Sequence, residues 1–160
     1  MIAVTLTINK AAVYEEVAKT TAFTGGRLSS LPDADTKVFD RVFTTDEDQK
    51  MLERFWDEAA SGATEQLKPW LEHDDSTSTD YEALLSVSCS YDTALNDSVQ
   101  KSLFSYFVAM ILSKWCRIAN KQDSEIYGND AVGAMDDVMK KIYYRKKPKR
   151  VAPVVEEPET

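Results

Sequence analysis

The sequence predicts a mainly α-helical fold: an antiparallel bundle of about four helices with a small β element and an extended C-terminal arm. Apolar residues recur at helical spacing over most of the 160 residues. Two segments, near residues 2–8 and 84–91, instead alternate apolar and polar side chains, as half-buried strands do. Residues 146–160 follow neither period and contain three prolines. We therefore predict a helical domain with a small sheet over residues 1–145 and an extended arm over residues 146–160.

The N-terminal segment predicts a strand followed by a helix. The apolar side of the strand consists of Ile2, Val4, Leu6 and Ile8. The side chain of Asn9 suits a helix cap, and the helix is expected to run to about Ala22. Gly25 and Gly26 are expected to end it, because glycine is the usual left-handed helix terminator. Residues 24–37 are predicted to form a loop.

A second helix has the clearest start in the sequence. At residues 44–48, Thr-Thr-Asp-Glu-Asp, a threonine cap is followed by acids that face the positive end of the helix dipole. Residues 38–43 before it predict a short helical turn. Apolar residues recur at helical spacing up to Leu71, but Pro69 should kink or split the helix, because its ring clashes with the carbonyl four residues earlier. Residues 73–80 predict a polar loop.

The second half of the chain predicts a strand and two long helices. The apolar side of the strand consists of Leu85, Val87, Cys89 and Tyr91. The helix over about residues 93–120 is apolar almost all round between Leu103 and Leu112, which is typical of a central buried helix. Its main stripe consists of Val99, Leu103, Phe107, Ile111, Trp115 and Ile118. The stripe of the last helix, over about residues 124–144, consists of Tyr127, Ala131, Met135, Val138 and Ile142.

Charge is unevenly distributed along the chain, whose net charge is −8. Residues 140–160 hold seven basic and three acidic side chains, which leaves 12 of the 19 basic and 24 of the 27 acidic ones for residues 1–139. An acidic body repels nucleic acid, so any contact with a polyanion is expected to be confined to the C-terminal end.

The remaining composition bears on the compartment. No apolar run reaches the ~18 residues that a membrane span requires, and no basic leader region precedes residues 2–8. Cys89 and Cys116 match neither a disulfide framework nor a metal-ligand spacing. We therefore expect buried free thiols, no membrane partner, and synthesis in a reducing cytoplasm.

Motifs that would carry catalysis are missing from the sequence. His73 is the only histidine, and it lies in an acidic segment without a nucleophile elbow. Residues 74–80 lack the glycine and the glutamate of a calcium loop. Residues 24–27, Thr-Gly-Gly-Arg, are not followed by the Gly-Lys-Ser/Thr of a phosphate-binding loop. We expect no catalytic residue, no cofactor, no bound metal and no enzyme activity.

The arm carries the candidate partner-binding residues. They are Lys146, Lys147, Lys149, Arg150, Val151, Val154 and Val155. A run of this kind is most often a solvated terminus. It could also contact nucleic acid without sequence preference, since no aromatic residues are interleaved. In a third interpretation it docks on an acidic partner while the valines add a strand to a sheet edge or fill a groove.

Two stretches resemble neck and head–tail connector ring proteins of tailed bacteriophages, most closely those of crAss-like phages. They are residues 14–25, YEEVAKTTAFTG, and residues 43–59, FTTDEDQKMLERFWDEA. Together they cover under a fifth of the chain, and neither is a strict motif. The resemblance implies a helical bundle with a C-terminal arm that assembles as a twelve-membered ring. It also implies the portal protein and the next tail or ring protein as partners, and no catalytic residues.

The resemblance, together with the missing catalytic motifs, implies a virion structural protein of the phage neck, made in the cytoplasm of a host bacterium. Its ring would join portal to tail and line the channel through which DNA passes without sequence-specific contact. An acidic surface suits such a channel, because repulsion keeps DNA from adhering. The alternative is a cytosolic helical regulator or adaptor whose basic tail contacts nucleic acid, which predicts salt-dependent DNA binding.

Overall fold

The computed structural model describes residues 1–28, 46–77, 79–119 and 121–147. Within these ranges the chain forms four α-helices and a small antiparallel sheet, which confirms the predicted fold class. In chain order the elements are β1 (Ile2–Asn9), α1 (Lys10–Leu28), α2 (Asp46–Leu67), β2 (Leu71–Asp74), β3 (Asp80–Val87), α3 (Asn96–Ala119) and α4 (Lys121–Tyr143). The turn predicted at residues 38–43, the threonine cap at residues 44–45 and the arm from residue 148 onward lie outside the described residues.

The sheet has β3 at its centre, between β1 and β2. In the antiparallel register of β1 and β3, Ile2 lies opposite Val87 and Asn9 opposite Asp80. One face of these two strands is buried and consists of Val4, Leu6, Ile8, Tyr81, Ala83, Leu85 and Val87. The alternate side chains are exposed or partly exposed. The sheet therefore packs one face on the helices and turns the other to solvent, as an antiparallel sheet commonly does.

Phe107 on α3 joins the helices to the sheet. Its side chain is fully buried, and its ring centroid lies 4.8 Å from that of Trp56 on α2 and 5.2 Å from that of Tyr81 on β3. Burial of one side chain of this size contributes roughly 1.5–3 kcal/mol to stability. The predicted position of α3 at the centre of the core is thus confirmed.

Helices α3 and α4 form an antiparallel pair. Ser113 hydrogen-bonds with Ser124 where the two helices meet, whereas Ser102 near the start of α3 bonds Lys141 near the end of α4. The buried side of α4 includes Ala131, Met135, Val138 and Ile142, as predicted. The predicted stripe of α3 is buried up to Trp115, but Ile118 is 63% exposed.

Asn9 caps α1, as predicted. Its Oδ1 accepts a hydrogen bond from the N–H of Ala12 at 3.0 Å, and its Nδ2 donates to Asp80 at 2.6 Å. The prediction that Gly25 and Gly26 end this helix is wrong, because α1 continues to Leu28. No described glycine adopts the positive φ that a left-handed terminator requires.

The predicted interruption of the second helix at Pro69 is confirmed, but the prediction that the helical pattern continues to Leu71 is wrong. Helix α2 ends at Leu67, whose carbonyl accepts a hydrogen bond from the N–H of Trp70 at 3.0 Å. A proline cannot continue the helical ladder, and here the chain turns. It then enters β2, which occupies the start of the segment predicted as a polar loop.

The second predicted strand is correct in kind but misplaced by four residues. It spans Asp80–Val87, and the chain then turns, with the N–H of Tyr91 donating to the carbonyl of Ser88 at 2.9 Å. This turn ends the alternation and leaves Cys89 exposed, so the prediction of a buried thiol there is wrong. Cys116 is buried, as predicted.

Candidate interaction surface

The arm leaves the domain beside the turn that follows β3. Arg145 and Tyr91 form an antiparallel β-bridge, and the N–H of Lys146 donates to the carbonyl of Ser90 at 2.8 Å. Backbone hydrogen bonds of this kind fix the direction of a segment as well as its position. We call residues 145–147 the arm root.

The end of α4 that carries the arm root is held from two sides. The ring of Tyr143 packs edge-on against Trp70, with ring centroids 4.9 Å apart. The Lys141 ammonium donates to the Ser102 hydroxyl at 2.7 Å and lies 3.3 Å from Asp137. A charge-assisted bond is about twice as strong as one between neutral groups. The arm therefore starts from a firmly held helix end.

A shallow depression lies next to the arm root on the outer face of α4. Its lining residues are Asp136, Met139, Lys140, Tyr143, Tyr144 and Arg145. Tyr143 and Tyr144 are 58% and 55% exposed. Aromatic, methionine and arginine side chains are enriched at protein interfaces, so the composition of this depression favours contact with another protein.

Of the seven residues predicted to bind a partner, the structure places two. Lys146 and Lys147 are exposed at the arm root. Lys149, Arg150, Val151, Val154 and Val155 lie outside the described residues. The depression was missed by the sequence reasoning, although the pair Tyr143–Tyr144 directly before the basic run was a usable signal.

The sheet presents negative charge. The acidic residues of its strands are Glu72, Asp74, Asp80 and Glu82, and the described strands contain no lysine or arginine. Hydrogen bonding from Ser76 lowers the pKa of Asp74 below its ordinary value, so this carboxylate stays charged into the acidic range. An acidic sheet is complementary to a basic segment such as the arm.

The loop between β2 and β3, predicted as a polar turn, is closed by its own hydrogen bonds. Asp74 accepts from the N–H of Ser76 at 3.1 Å, and the Thr77 hydroxyl accepts from the N–H of Asp80 at 3.1 Å. Among the described residues no group of three potential ligands converges on a metal position. None of the helices in the described ranges is long and apolar enough to cross a membrane.

The titratable groups of the core are protonated and packed. Burial raises the pKa of Tyr106 to about 12 and that of Cys116 to about 11. By contrast, a hydrogen bond with the α-amino group of Met1 lowers the pKa of the exposed Cys89 thiol. The buried tyrosine and thiol therefore act as packing groups at neutral pH.

Over the described residues, the fold and this surface define a mainly helical protein with a small three-stranded sheet and a basic segment, Arg145–Lys147, after its last helix. Comparison with protein-family models, curated proteins and solved structures found no match to this chain.

Proposed function

We propose that this chain is a virion structural protein, a subunit of the head–tail connector or neck ring that joins portal to tail in a tailed bacteriophage. The observation that carries the proposal is the arm root. Lys146 is bonded to Ser90, and the chain then continues for fourteen more residues. Fully extended, fourteen residues span roughly 46 Å, enough to reach a neighbouring subunit.

The proposed assembly is a homo-oligomeric ring of twelve copies that contacts the portal protein and the next tail or ring protein. A ring closes through heterologous contacts, so each subunit needs two different complementary faces. The aromatic and basic surface at the arm root and the acidic sheet supply two such faces.

The ring would line a channel for DNA without base-specific contacts. The acidic body supports this arrangement, because like charge keeps the passing genome from adhering. We expect acidic side chains to concentrate on the lumen of the assembled ring. A ring reconstruction with these side chains on the outer rim would contradict the channel role.

The proposal is tested by deleting residues 146–160 and measuring co-assembly with a candidate portal protein in a pull-down and by native mass. The deleted chain should stay folded and no longer join its partner. A matched control replaces residues 148–160 by a Gly-Ser segment of equal length, which keeps the bond from Lys146 to Ser90. Unchanged co-assembly of the deleted chain would contradict the proposal.

Lys146 and Lys147 are exposed and could contact nucleic acid. The nucleic-acid alternative can therefore be tested directly. A helical regulator should bind DNA as an isolated protein, with an affinity that falls steeply with salt. If five basic residues contact phosphates, the logarithm of the binding constant should fall with the logarithm of the salt concentration with a slope of roughly −4 to −5. Strong salt-dependent DNA binding by the free chain, together with no co-assembly, would favour this alternative.

A further inference from the structure

One side chain closes part of the free edge of β1. The N–H of Thr7 donates to Oε1 of Gln100 on α3 at 3.2 Å, and Nε2 of Gln100 donates back to the carbonyl of Thr7. The Gln100 amide thus takes the place that a residue of a neighbouring strand would occupy. It follows that the backbone groups of Thr7 point away from β3.

Two further residues of this edge have no backbone partner within the part of the chain that the structure describes. In an antiparallel strand, alternate residues turn both backbone groups to the same side, so Ala3 and Thr5 point the same way as Thr7. Ser86, which lies opposite Ala3, correspondingly bonds the carbonyl of Trp70 on the far side of β3 at 2.7 Å. Within the described ranges β1 pairs only with β3. Open edges of this kind are templates for another chain.

We propose that the open edge of β1 accepts residues 151–155 from the arm of a second copy of this chain as an added strand. The inference rests on the proposed assembly function, because an arm that passes from each subunit to the next is a heterologous contact that can close a ring. The expected register is antiparallel, with Ala152 opposite Thr5 and Val154 opposite Ala3.

This register matches the chemistry of the two segments. It places Val151, Pro153 and Val155 opposite Leu6, Val4 and Ile2, so apolar residues meet on the core side of the sheet. The nitrogen of Pro153 then faces away from β1, which is where a strand tolerates a residue without an N–H. The three valines also favour an extended backbone.

The charges of Arg150 and Glu82 support the same register. Arg150 would lie opposite Thr7, and Thr7 lies opposite Glu82 on the neighbouring strand, so the three residues would be aligned across the sheet. The sheet offers acidic side chains and no competing lysine or arginine in the described strands. Gln100 already occupies the backbone of Thr7, so the added strand ends where the basic residues begin.

The position of the arm root favours a second copy over the same chain. Lys146 is bonded to Ser90, beyond the end of the sheet where Val87 pairs with Ile2. From there Val151 would have to reach Leu6, roughly 13 Å along the strand and two strand spacings, about 10 Å, across the sheet. The five residue steps from Lys146 to Val151 span at most ~17 Å, which leaves no slack for a path around the sheet edge.

Disulfide trapping tests the contact in chains that carry Cys89→Ser and Cys116→Ala. A chain with Ile2→Cys is mixed with a chain with Val155→Cys and oxidised by dissolved oxygen. This non-hydrogen-bonded pair would bring the two Cα atoms to ~4.5 Å, within disulfide range. The expected result is a mixed disulfide of twice the chain mass. The matched control, Ile2→Cys with Val151→Cys, should lose this product, since Val151 would lie four residues away.

A backbone variant tests the same edge independently. Thr5→Pro removes an outward N–H and leaves the β1–β3 ladder intact, so the chain should stay folded and lose the mixed disulfide. Thr5→Ala keeps the N–H and should keep the disulfide. Equal trapping in both variants would overturn the proposal.

The remaining outcomes separate this inference from the proposed function. If one chain carrying both Ile2→Cys and Val155→Cys closes on itself and no mixed product forms, the second-copy contact is overturned. If no disulfide forms and deletion of residues 146–160 abolishes co-assembly, the second-copy contact is also overturned. The proposed ring function is then still supported. If the disulfide forms and the deletion leaves co-assembly unchanged, the strand contact stands and the ring function fails.

Discussion

A methyl group added at Gly62 on α2 would lie 2.7 Å from the phenol oxygen of Tyr106 on α3. This hydroxyl donates a buried hydrogen bond to the carbonyl of Ala59 at 3.4 Å. The glycine that weakens α2 as an isolated helix is thus required by its packing against α3.

We expect Gly62→Ala to lower the free energy of unfolding by about 1–2 kcal/mol, because the displaced phenol outweighs the gain in helix propensity. Gly133 on α4 is the matched control, since a methyl group there meets no atom within 4 Å. Gly133→Ala should raise the free energy of unfolding by about 0.5–1 kcal/mol. Urea denaturation measures both values, and a stabilised Gly62→Ala chain would contradict the packing argument.

The pair Ser113 and Ser124 should contribute to the stability of the α3–α4 pair. Each hydroxyl donates to the backbone carbonyl of the other residue, at 3.0 and 2.9 Å, and both bonds are buried. Ser113→Ala and Ser124→Ala are each expected to cost about 1 kcal/mol. Ser105→Ala is the control, because the exposed Ser105 hydroxyl bonds the carbonyl of Lys101 in its own helix. Equal thermal stability of all three variants would contradict the expectation.

Glu58 and Lys114 should make stability depend on acidic pH. The hydrogen bond from Lys114 lowers the pKa of Glu58 below its ordinary value of 4.5. The charged carboxylate therefore stabilises the fold above that value, and the contribution is lost as the pH falls through the lower folded-state value. Because both groups are partly exposed, Glu58→Gln should cost only about 0.5 kcal/mol at pH 7. In urea titrations the difference from the native chain should shrink as the pH falls below 4.5 and through the lowered pKa of Glu58; a constant difference would exclude this origin.

Lys141 should control how firmly the arm root is held. Lys141→Ala removes the bond to Ser102 and should let the end of α4 fray, so that hydrogen exchange at the Lys146 amide accelerates. Lys140→Ala, at the exposed neighbouring position, should leave the exchange unchanged. Equal exchange in both variants would contradict a role of Lys141 in holding this end.

The long periodic elements could be predicted from the sequence, because burial of a stripe and a capping side chain act locally. Asn9, the stripe of α4 and the central α3 follow from such signals. The strand β2 could not be predicted, because Glu72, His73 and Asp74 have little intrinsic strand preference. Pairing with the open side of β3 decides their conformation.

The prediction of the end of α1 was wrong because it relied on residue type alone, without the backbone conformation. Gly25 and Gly26 end a helix only if the backbone adopts positive φ, and no described glycine does. At the candidate site, the basic residues were evident from composition, but the arm root was not. The pairing of Arg145 with Tyr91 joins residues more than fifty positions apart, and no local pattern encodes it.

The register that sets Ile2 against Val87 has a consequence for biosynthesis. Translation at roughly 5–20 residues per second leaves β1 waiting several seconds for its only paired strand within the described chain. During that interval both edges of β1 are bare while α1 can already form behind it. Ribosome-bound chains arrested before residue 80 should therefore be recognised by chaperones that bind extended apolar segments, and chains arrested well beyond residue 119 should escape them.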